Sequence, residues 1–210
     1  KAAVRVALCD TRLLGELEAA TPRPPVVLGF GQGGDLERMA ATKPAEFQAV
    51  ATAADDICII AFTSGTTGQP KATMHCHRDV VAICETFSRQ VLRPRPDDLF
   101  VGSPPLAFTF GLGSLLLFPL HARAATLLVE EVAPDKLALA IERYRPTLLA
   151  TSPTAYRRML GAERAALASL RTCLSAGETL PRATSDDWHA HTGIRILDGI
   201  GSTEMLHIFI

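Results

Sequence analysis

No stretch of this chain approaches the roughly 18 apolar residues that a membrane helix needs. The longest candidate, residues 112–120, is interrupted by Pro119 and reads as a core helix. No charged segment followed by an apolar one opens the chain, so no secretory leader is read from it. An excess of either charge is also lacking: a net charge of −1 gives no electrostatic case for nucleic acid or an anionic membrane. The five cysteines, Cys9, Cys58, Cys76, Cys84 and Cys173, form no C-x-x-C pair and no framework spacing. Buried reduced thiols of a cytoplasmic protein are therefore expected rather than disulfides. Repeats and low-complexity tracts are missing, and the proline-rich stretches 22–25 and 93–96 read as loops. Lysine is scarce, four against 17 arginines, which makes Lys71 conspicuous. These absences fit a soluble metabolic enzyme without naming its chemistry.

What is present is an alternation of strand-like and helix-like segments. Strands are expected at 3–8, 26–28, 57–62, 126–129, 147–150, 170–174 and 195–197, from short runs rich in β-branched and aliphatic residues. Helices are expected at 13–20, 79–89, 136–144, 155–160 and 182–191. The order predicts an α/β fold, a mostly parallel sheet flanked by helices, in which ligands gather at the carboxyl ends of strands. At 210 residues the chain is long enough for one substantial core.

Three polar turns close strand-like runs. Thr63-Ser64-Gly65-Thr66-Thr67-Gly68-Gln69-Pro70-Lys71 follows the apolar run 57–62, expected to be a buried strand. Its hydroxyls, two glycines and one lysine suit an anion of the triphosphate kind, although an ordinary polar turn has the same composition. It is not a Walker A loop, because the spacing of Gly65 and Gly68 and the position of Pro70 break that pattern. The other turns are Ser175-Ala176-Gly177-Glu178-Thr179-Leu180-Pro181 and Asp198-Gly199-Ile200-Gly201-Ser202-Thr203-Glu204. Two further patterns are decoys. Residues 29–34 fit G-x-G-x-x-G, but the helix that follows, Asp35 to about Thr42, is too short for a dinucleotide crossover. His75-Cys76-His77 has no second Cys/His pair nearby, so it reads as a turn entering the helix capped near Asp79 rather than as a metal site.

Taken together, the three turns resemble the core motifs of the adenylate-forming superfamily, which includes acyl-CoA synthetases, aryl-CoA ligases, peptide-synthetase adenylation domains and luciferases. The stretch Asp198–Phe209 and the segment Pro104-Pro105-Leu106-Ala107-Phe108-Thr109-Phe110-Gly111-Leu112-Gly113 are similar to benzoate- and 2-aminobenzoate-CoA ligases. The resemblance covers about residue 55 to residue 210. It implies an ATP-dependent aromatic carboxylate CoA ligase that forms an acyl-adenylate and then a thioester with coenzyme A. Thr63, Ser64, Gly65, Thr66, Thr67 and Gly68 would then wrap the β- and γ-phosphates with Lys71 beside them. Thr203 would donate to the α-phosphate and Glu204 would bind Mg²⁺, with a plain surface carboxylate as its alternative. Gly177, Glu178 and Thr179 would pack on the adenine, or form no more than a turn. Asp198, Gly199, Ile200 and Gly201 would line the base, Ile200 standing where many relatives carry Tyr. Lys71, Thr203 and Glu204 are the catalytic candidates.

The same resemblance implies that Ala107, Phe108, Thr109, Phe110 and Gly111 wall the aryl pocket, and the Thr109 hydroxyl suits an ortho-amino or ortho-hydroxy group. His207 either donates to the substrate at the pocket edge or is a core histidine bonded to a carbonyl. The chain is expected to be a fragment of the large N-terminal domain of such an enzyme, inactive by itself, because it ends in an uncapped apolar run, 206–210. Expected partners are the aromatic acid, ATP and CoA, with a homodimer compatible with the full-length enzyme and neither nucleic acid nor membrane. An adenylation domain that loads a carrier protein, and a non-catalytic nucleotide-binding module, are the alternatives.

Overall fold

The computed structural model describes residues 3–63 and 71–210. The candidate phosphate-loop residues Ser64, Gly65, Thr66, Thr67 and Gly68 lie outside the described residues. The chain divides into two compact units, Lys1–Thr52 and Ala53–Ile210.

In the first unit two parallel strands, β1 (Val6–Asp10) and β2 (Val26–Phe30), pair with Val6 opposite Val26. The crossover that parallel pairing requires carries a short helix, α1 (Leu14–Glu18). Asp10 stops β1 by accepting the Arg12 amide at 2.9 Å and the Arg12 guanidinium. Arg12 and its hydrogen bonds hold the Asp10 carboxyl down at about 2. A second helix, α2 (Asp35–Ala40), has only six residues. The glycine turn before it has its polar groups taken: Gly31 N–H donates to Glu37 at 2.8 Å, and the Gly33 carbonyl accepts from Arg38 at 2.7 Å. A carboxylate of the chain thus already takes the Gly31 amide.

The second unit opens with an antiparallel pair, β3 (Ile57–Thr63) and β4 (Lys71–Cys76), with Thr63 opposite Lys71. This corrects two expectations. Residues 57–62 are not a buried strand of the parallel sheet, since Ile57 and Phe62 are more than half exposed on this chain. The segment between Thr63 and Lys71 joins two antiparallel strands, and β4 carries no apolar run by which sequence could announce it. Helix α3 (His77–Ile83) starts directly after β4, where the Asp79 carboxylate reaches back to the Cys76 amide at 2.7 Å. It continues to Leu92 in wider turns and ends at Arg93 in the left-handed region.

The main sheet has five parallel strands in the order β6-β5-β7-β8-β9: Ala125–Leu127, Leu99–Gly102, Leu148–Thr151, Thr172–Ser175 and Ile196–Asp198. Alternate residues feed opposite faces, as the two-residue period of a strand demands. Val101, Leu149, Cys173 and Ile196 pack under α6 (Pro134–Tyr144), α7 (Pro153–Met159) and α8 (Arg182–Thr192). Phe100, Leu148, Ala150 and Leu174 pack on the other side with Ile83, Cys84, Phe118 and Leu206. Trp188 and Tyr156 meet edge to face at 4.8 Å, and the Tyr156 hydroxyl donates to the carbonyls of Leu149 and Leu174. The expected core helix at 112–120 exists but is not broken at Pro119. Helix α4 (Thr109–Leu112) runs through wide turns at Gly113–Leu117 into α5 (Phe118–Ala122), and the wide turns leave room for the proline ring that a tight helix would exclude.

Strand β5 was not anticipated, and it stands where the strand order reverses. It neighbours β6 on one side and β7 on the other, so the chain changes direction between β5 and β7. At the amino ends of the sheet Asp98, before β5, accepts from Arg171 before β8 and from Thr147 before β7. Burial alone would raise the Asp98 carboxyl. Its bonds from Arg171, Thr147 and the Arg95 amide outweigh that and hold it below the ordinary carboxylate value.

Candidate active site

Ligand sites of open α/β sheets form outside the carboxyl ends of strands where the connection reverses. Here that is the end of β5 and β7, where the hydroxyls of Ser103 and Thr151 meet at 2.5 Å and the Ser103 amide donates to the Ala150 carbonyl. The next strand ends at Ser175, fully buried, its hydroxyl without a partner among the described residues. The chain then turns through Gly177 at φ +89°, a conformation that favours glycine. Glu178 points its carboxylate back at α7, accepting from the Thr154 hydroxyl at 2.6 Å and more weakly from its amide. With that side chain engaged, the turn offers exposed backbone at Gly177 and Thr179.

The third turn leaves β9 at Asp198, which is exposed beside Ser175. Residues 199–210 fold back on themselves: Ile200 N–H donates to the Ile210 carbonyl at 2.9 Å, and Phe209 N–H to the Ile200 carbonyl at 3.0 Å. Glycine is required for this approach, since a Cβ at Gly199 would lie 2.5 Å from Ile208 Cγ2, and one at Gly201 2.8 Å from the His207 carbonyl. The tip of the fold-back is Thr203-Glu204-Met205, with Leu206 N–H bonded to the Thr203 carbonyl and Leu206 at φ +63°. Ile200 stands 64% exposed, available to pack on a flat partner. The Glu204 carboxylate is exposed and has no hydrogen-bonding or ionic partner among the described residues.

A residue set aside as part of a decoy ties the first motif to the third. His75, on β4 and only 4% exposed, bonds through Nε2 to the Thr203 carbonyl at 2.8 Å. Lys71 lies four residues earlier on the same strand and, by the two-residue period, on the same face. The His-Cys-His triplet therefore splits into a positioning histidine, a helix start at Cys76 and a first helical residue at His77. Among the described residues no three His, Cys, Asp or Glu side chains converge as a metal cluster. The signal that could have pointed to His75 was parity with Lys71 on a strand, which required knowing that β4 existed.

The segment 107–111 leads into α4. Phe108 is 66% exposed, Thr109 is the first residue of the helix, and Gly111 sits so close to the Pro104 and Pro105 carbonyls that a Cβ would approach the latter to 2.1 Å. Phe110 turns inward onto His207, at 5.9 Å between ring centroids. His207 is buried, ringed also by Phe87 at 5.4 Å and Phe118 at 4.5 Å. It sits in the core, with the Ser114 hydroxyl 3.2 Å from Nε2 and the Phe110 backbone also hydrogen-bonded to the ring. Burial pushes its pKa down to about 4 against a smaller opposing influence of the Phe110 backbone, so the ring is neutral at pH 7. A concavity of about 270 Å³ lies beside this segment, lined by Ser103, Pro104, Pro105, Leu106, Leu115 and Leu128. Another, about 650 Å³ between α6 and the chain after α7, shares no residue with the motifs.

With this arrangement in view, comparison with known proteins is decisive. The family described as AMP-binding enzyme matches residues 1–210. The chain belongs to the AMP-binding enzyme family. It is 38% identical to a benzoate–CoA ligase of Thauera aromatica, over 99% of the chain and 41% of that protein. It is 35% identical to an anthranilate–CoA ligase of Pseudomonas aeruginosa, over 73% of the chain and 30% of that protein. Among solved structures, an anthranilate CoA ligase in complex with anthranoyl-AMP superposes with a TM-score of 0.89 at 33% identity, covering 99% of this chain and 43% of that one. The chain thus spans less than half the length of these relatives, and its parallel sheet with helices on both faces is the fold of their N-terminal domains. Within this AMP-binding fold, two of the three motif turns stand at carboxyl ends of the parallel sheet, and His75 links the strand that leaves the first motif to the third.

Proposed function

We propose that this chain is part of the large N-terminal domain of an ATP-dependent aromatic carboxylate CoA ligase, acting on acids of the benzoate or 2-aminobenzoate type. The observation that carries the reading is the His75–Thr203 bond, which docks the strand leaving the phosphate-loop motif against the turn bearing Thr203 and Glu204. It is joined by 35–38% identity to two ligases of that substrate class.

In the proposed reaction a carboxylate oxygen attacks the α-phosphorus of ATP, the bond to the β-phosphate oxygen breaks, and pyrophosphate leaves with the electron pair. The thiol sulfur of CoA then attacks the acyl carbon, AMP departs, and the thiol proton is released. Two anions must meet in the first step, so donors and positive charge have to be in place beforehand. Lys71 supplies a point charge at the start of β4, and the Thr203 hydroxyl is a donor for the α-phosphate. Glu204, exposed and without a partner among the described residues, fits a hard cation as a single oxygen ligand. Mg²⁺ bound there would offset charge on the departing pyrophosphate. Gly177, Thr179 and the exposed Ile200 would flank the base, and 107–111 would face the aryl group.

The test is carboxylate-dependent ATP–pyrophosphate exchange by the full-length protein across benzoates, fatty acids and amino acids, with Glu204→Gln as control. Exchange with benzoates, lost in the control, is the expected result. Exchange with amino acids alone would replace this reading by carrier loading, and exchange with none would leave a nucleotide-binding module.

A further inference from the structure

Beside the amino ends of β5 and β6, at the opposite end of the sheet from the motif turns, a concavity of about 310 Å³ is lined by Ser88, Arg89, Arg93, Pro94, His121 and Ala122. It forms where the wide-turned continuation of α3 ends at Leu92 and α5 ends at Ala122, each a few residues before a strand begins. Two arginines on so small a surface call for negative charge. Glu85 supplies part of it, taking Arg89 Nη1 at 2.6 Å and His121 Nε2 at 3.0 Å. One carboxylate against two guanidiniums leaves the concavity positive whatever the proton count of His121.

Two features of this lining find no partner inside the chain. Ser88 is fully buried, and its hydroxyl has no hydrogen-bond partner among the described residues. A helical hydroxyl ordinarily turns back to the carbonyl four residues earlier, as Thr86 does to Ala82 at 2.7 Å. Ser88 makes no such bond, and a buried donor without an acceptor is costly. Arg93 is the second feature. Its backbone stands at φ +50°, uncommon for a residue with a side chain. It is held there from both sides, its amide donating to the Ser88 carbonyl at 2.8 Å and its carbonyl accepting from Arg171 at 3.3 Å. Arg93 Nε donates to the Gln90 carbonyl at 3.0 Å, which leaves both Nη nitrogens without a partner among the described residues.

We propose that this concavity is a binding site for an oxyanion of the phosphate class, held by the Nη groups of Arg93 and the remaining nitrogens of Arg89, with the Ser88 hydroxyl donating to its innermost oxygen. Guanidinium forks match the oxygens of such an ion two at a time. Donors from three side chains converge, one more than the two oxygens of a carboxylate would use, which favours a phosphate. The site shares no residue with the three motifs, and the aryl-ligase reading plays no part in it.

Inorganic phosphate is the probe. The thermal unfolding midpoint of the full-length protein, followed against phosphate concentration at an ionic strength fixed with chloride, reads its Kd. A saturable rise is expected, with Kd raised about tenfold or more in Arg93→Gln through loss of a charged hydrogen bond, and several-fold in Ser88→Ala. Without phosphate, Ser88→Ala should be no less stable than the unsubstituted protein, since it removes an unsatisfied donor; a marked loss would show the hydroxyl already satisfied and overturn its role. Both variants should keep the KM for ATP of the unsubstituted protein. The proposal is overturned if no saturable shift is seen, or if Kd is the same in both variants, because phosphate would then be acting elsewhere. A KM for ATP that rises in step with the phosphate Kd would move the ion to the nucleotide site and overturn it too.

Discussion

Replacing Arg171 by Met isolates what holds the amino ends of the central strands together. Asp98 is 3% exposed and Arg171 28%, and they bond through two nitrogens to two oxygens, with Nε to Oδ1 at 2.8 Å. Thr147 at 2.7 Å and the Arg95 amide at 2.6 Å complete the carboxylate's shell. Arg171→Met strands a buried carboxylate with two neutral donors, a change that costs about 3–5 kcal/mol when one member of a buried pair is removed. Asp98→Asn keeps an acceptor in place and frees an arginine already in partial contact with water, so its loss is nearer the 1.5–3 kcal/mol of a charged hydrogen bond, roughly half as much. The pair should also show in pH dependence. Because the folded carboxyl titrates below its ordinary 3.8, its stabilisation is present above that value and is lost as pH falls through the folded one. Urea unfolding of the chain and both variants, at pH 7 and at steps down to pH 3, measures these effects. The reasoning is refuted if Asp98→Asn is as damaging as Arg171→Met at pH 7, or if the gap between wild type and Asp98→Asn widens with acid.

Two further outcomes are expected. His75→Ala should lower stability by about 1–2 kcal/mol through loss of one buried hydrogen bond, and should reduce pyrophosphate exchange in the full-length protein more than stability alone explains; exchange retained at the wild-type rate would count against the link to Thr203. His207 is depressed from 6.5 to about 4, so the unfolded chain binds the proton first and stability should decline as pH falls from 6.5 toward 4, by at most about 3 kcal/mol. His207→Gln should flatten that stretch of the urea-midpoint profile, and an undiminished slope would assign it to other groups.

Strands β7, β8 and β9 and helices α6 and α8 were legible from periodicity, because strands covered on both faces read as short apolar runs and the helices are amphipathic. β5 went unread because Leu99–Gly102 offers four residues between a proline-rich loop and another pair of prolines. β4 went unread because Lys71–Cys76 carries little apolar character, and the partner that makes it a strand, β3, is read correctly only when the pairing is seen. His75 was misplaced for the same reason: as a triplet member it resembles a metal ligand, whereas its bond crosses 128 residues of sequence.

The amino-acid sequence by itself determined the motifs, their order, the α/β class and the glycines that let residues 199–201 approach 207–210. These are local quantities, set by period, side-chain volume and backbone freedom. Only the tertiary structure decided that β3 pairs antiparallel with β4, that Glu178 turns toward Thr154, and that His207 is a neutral buried histidine beside Ser114. Each depends on a contact between distant segments, and a histidine's burial, charge and tautomer are fixed by what surrounds it and not by its neighbours in the chain.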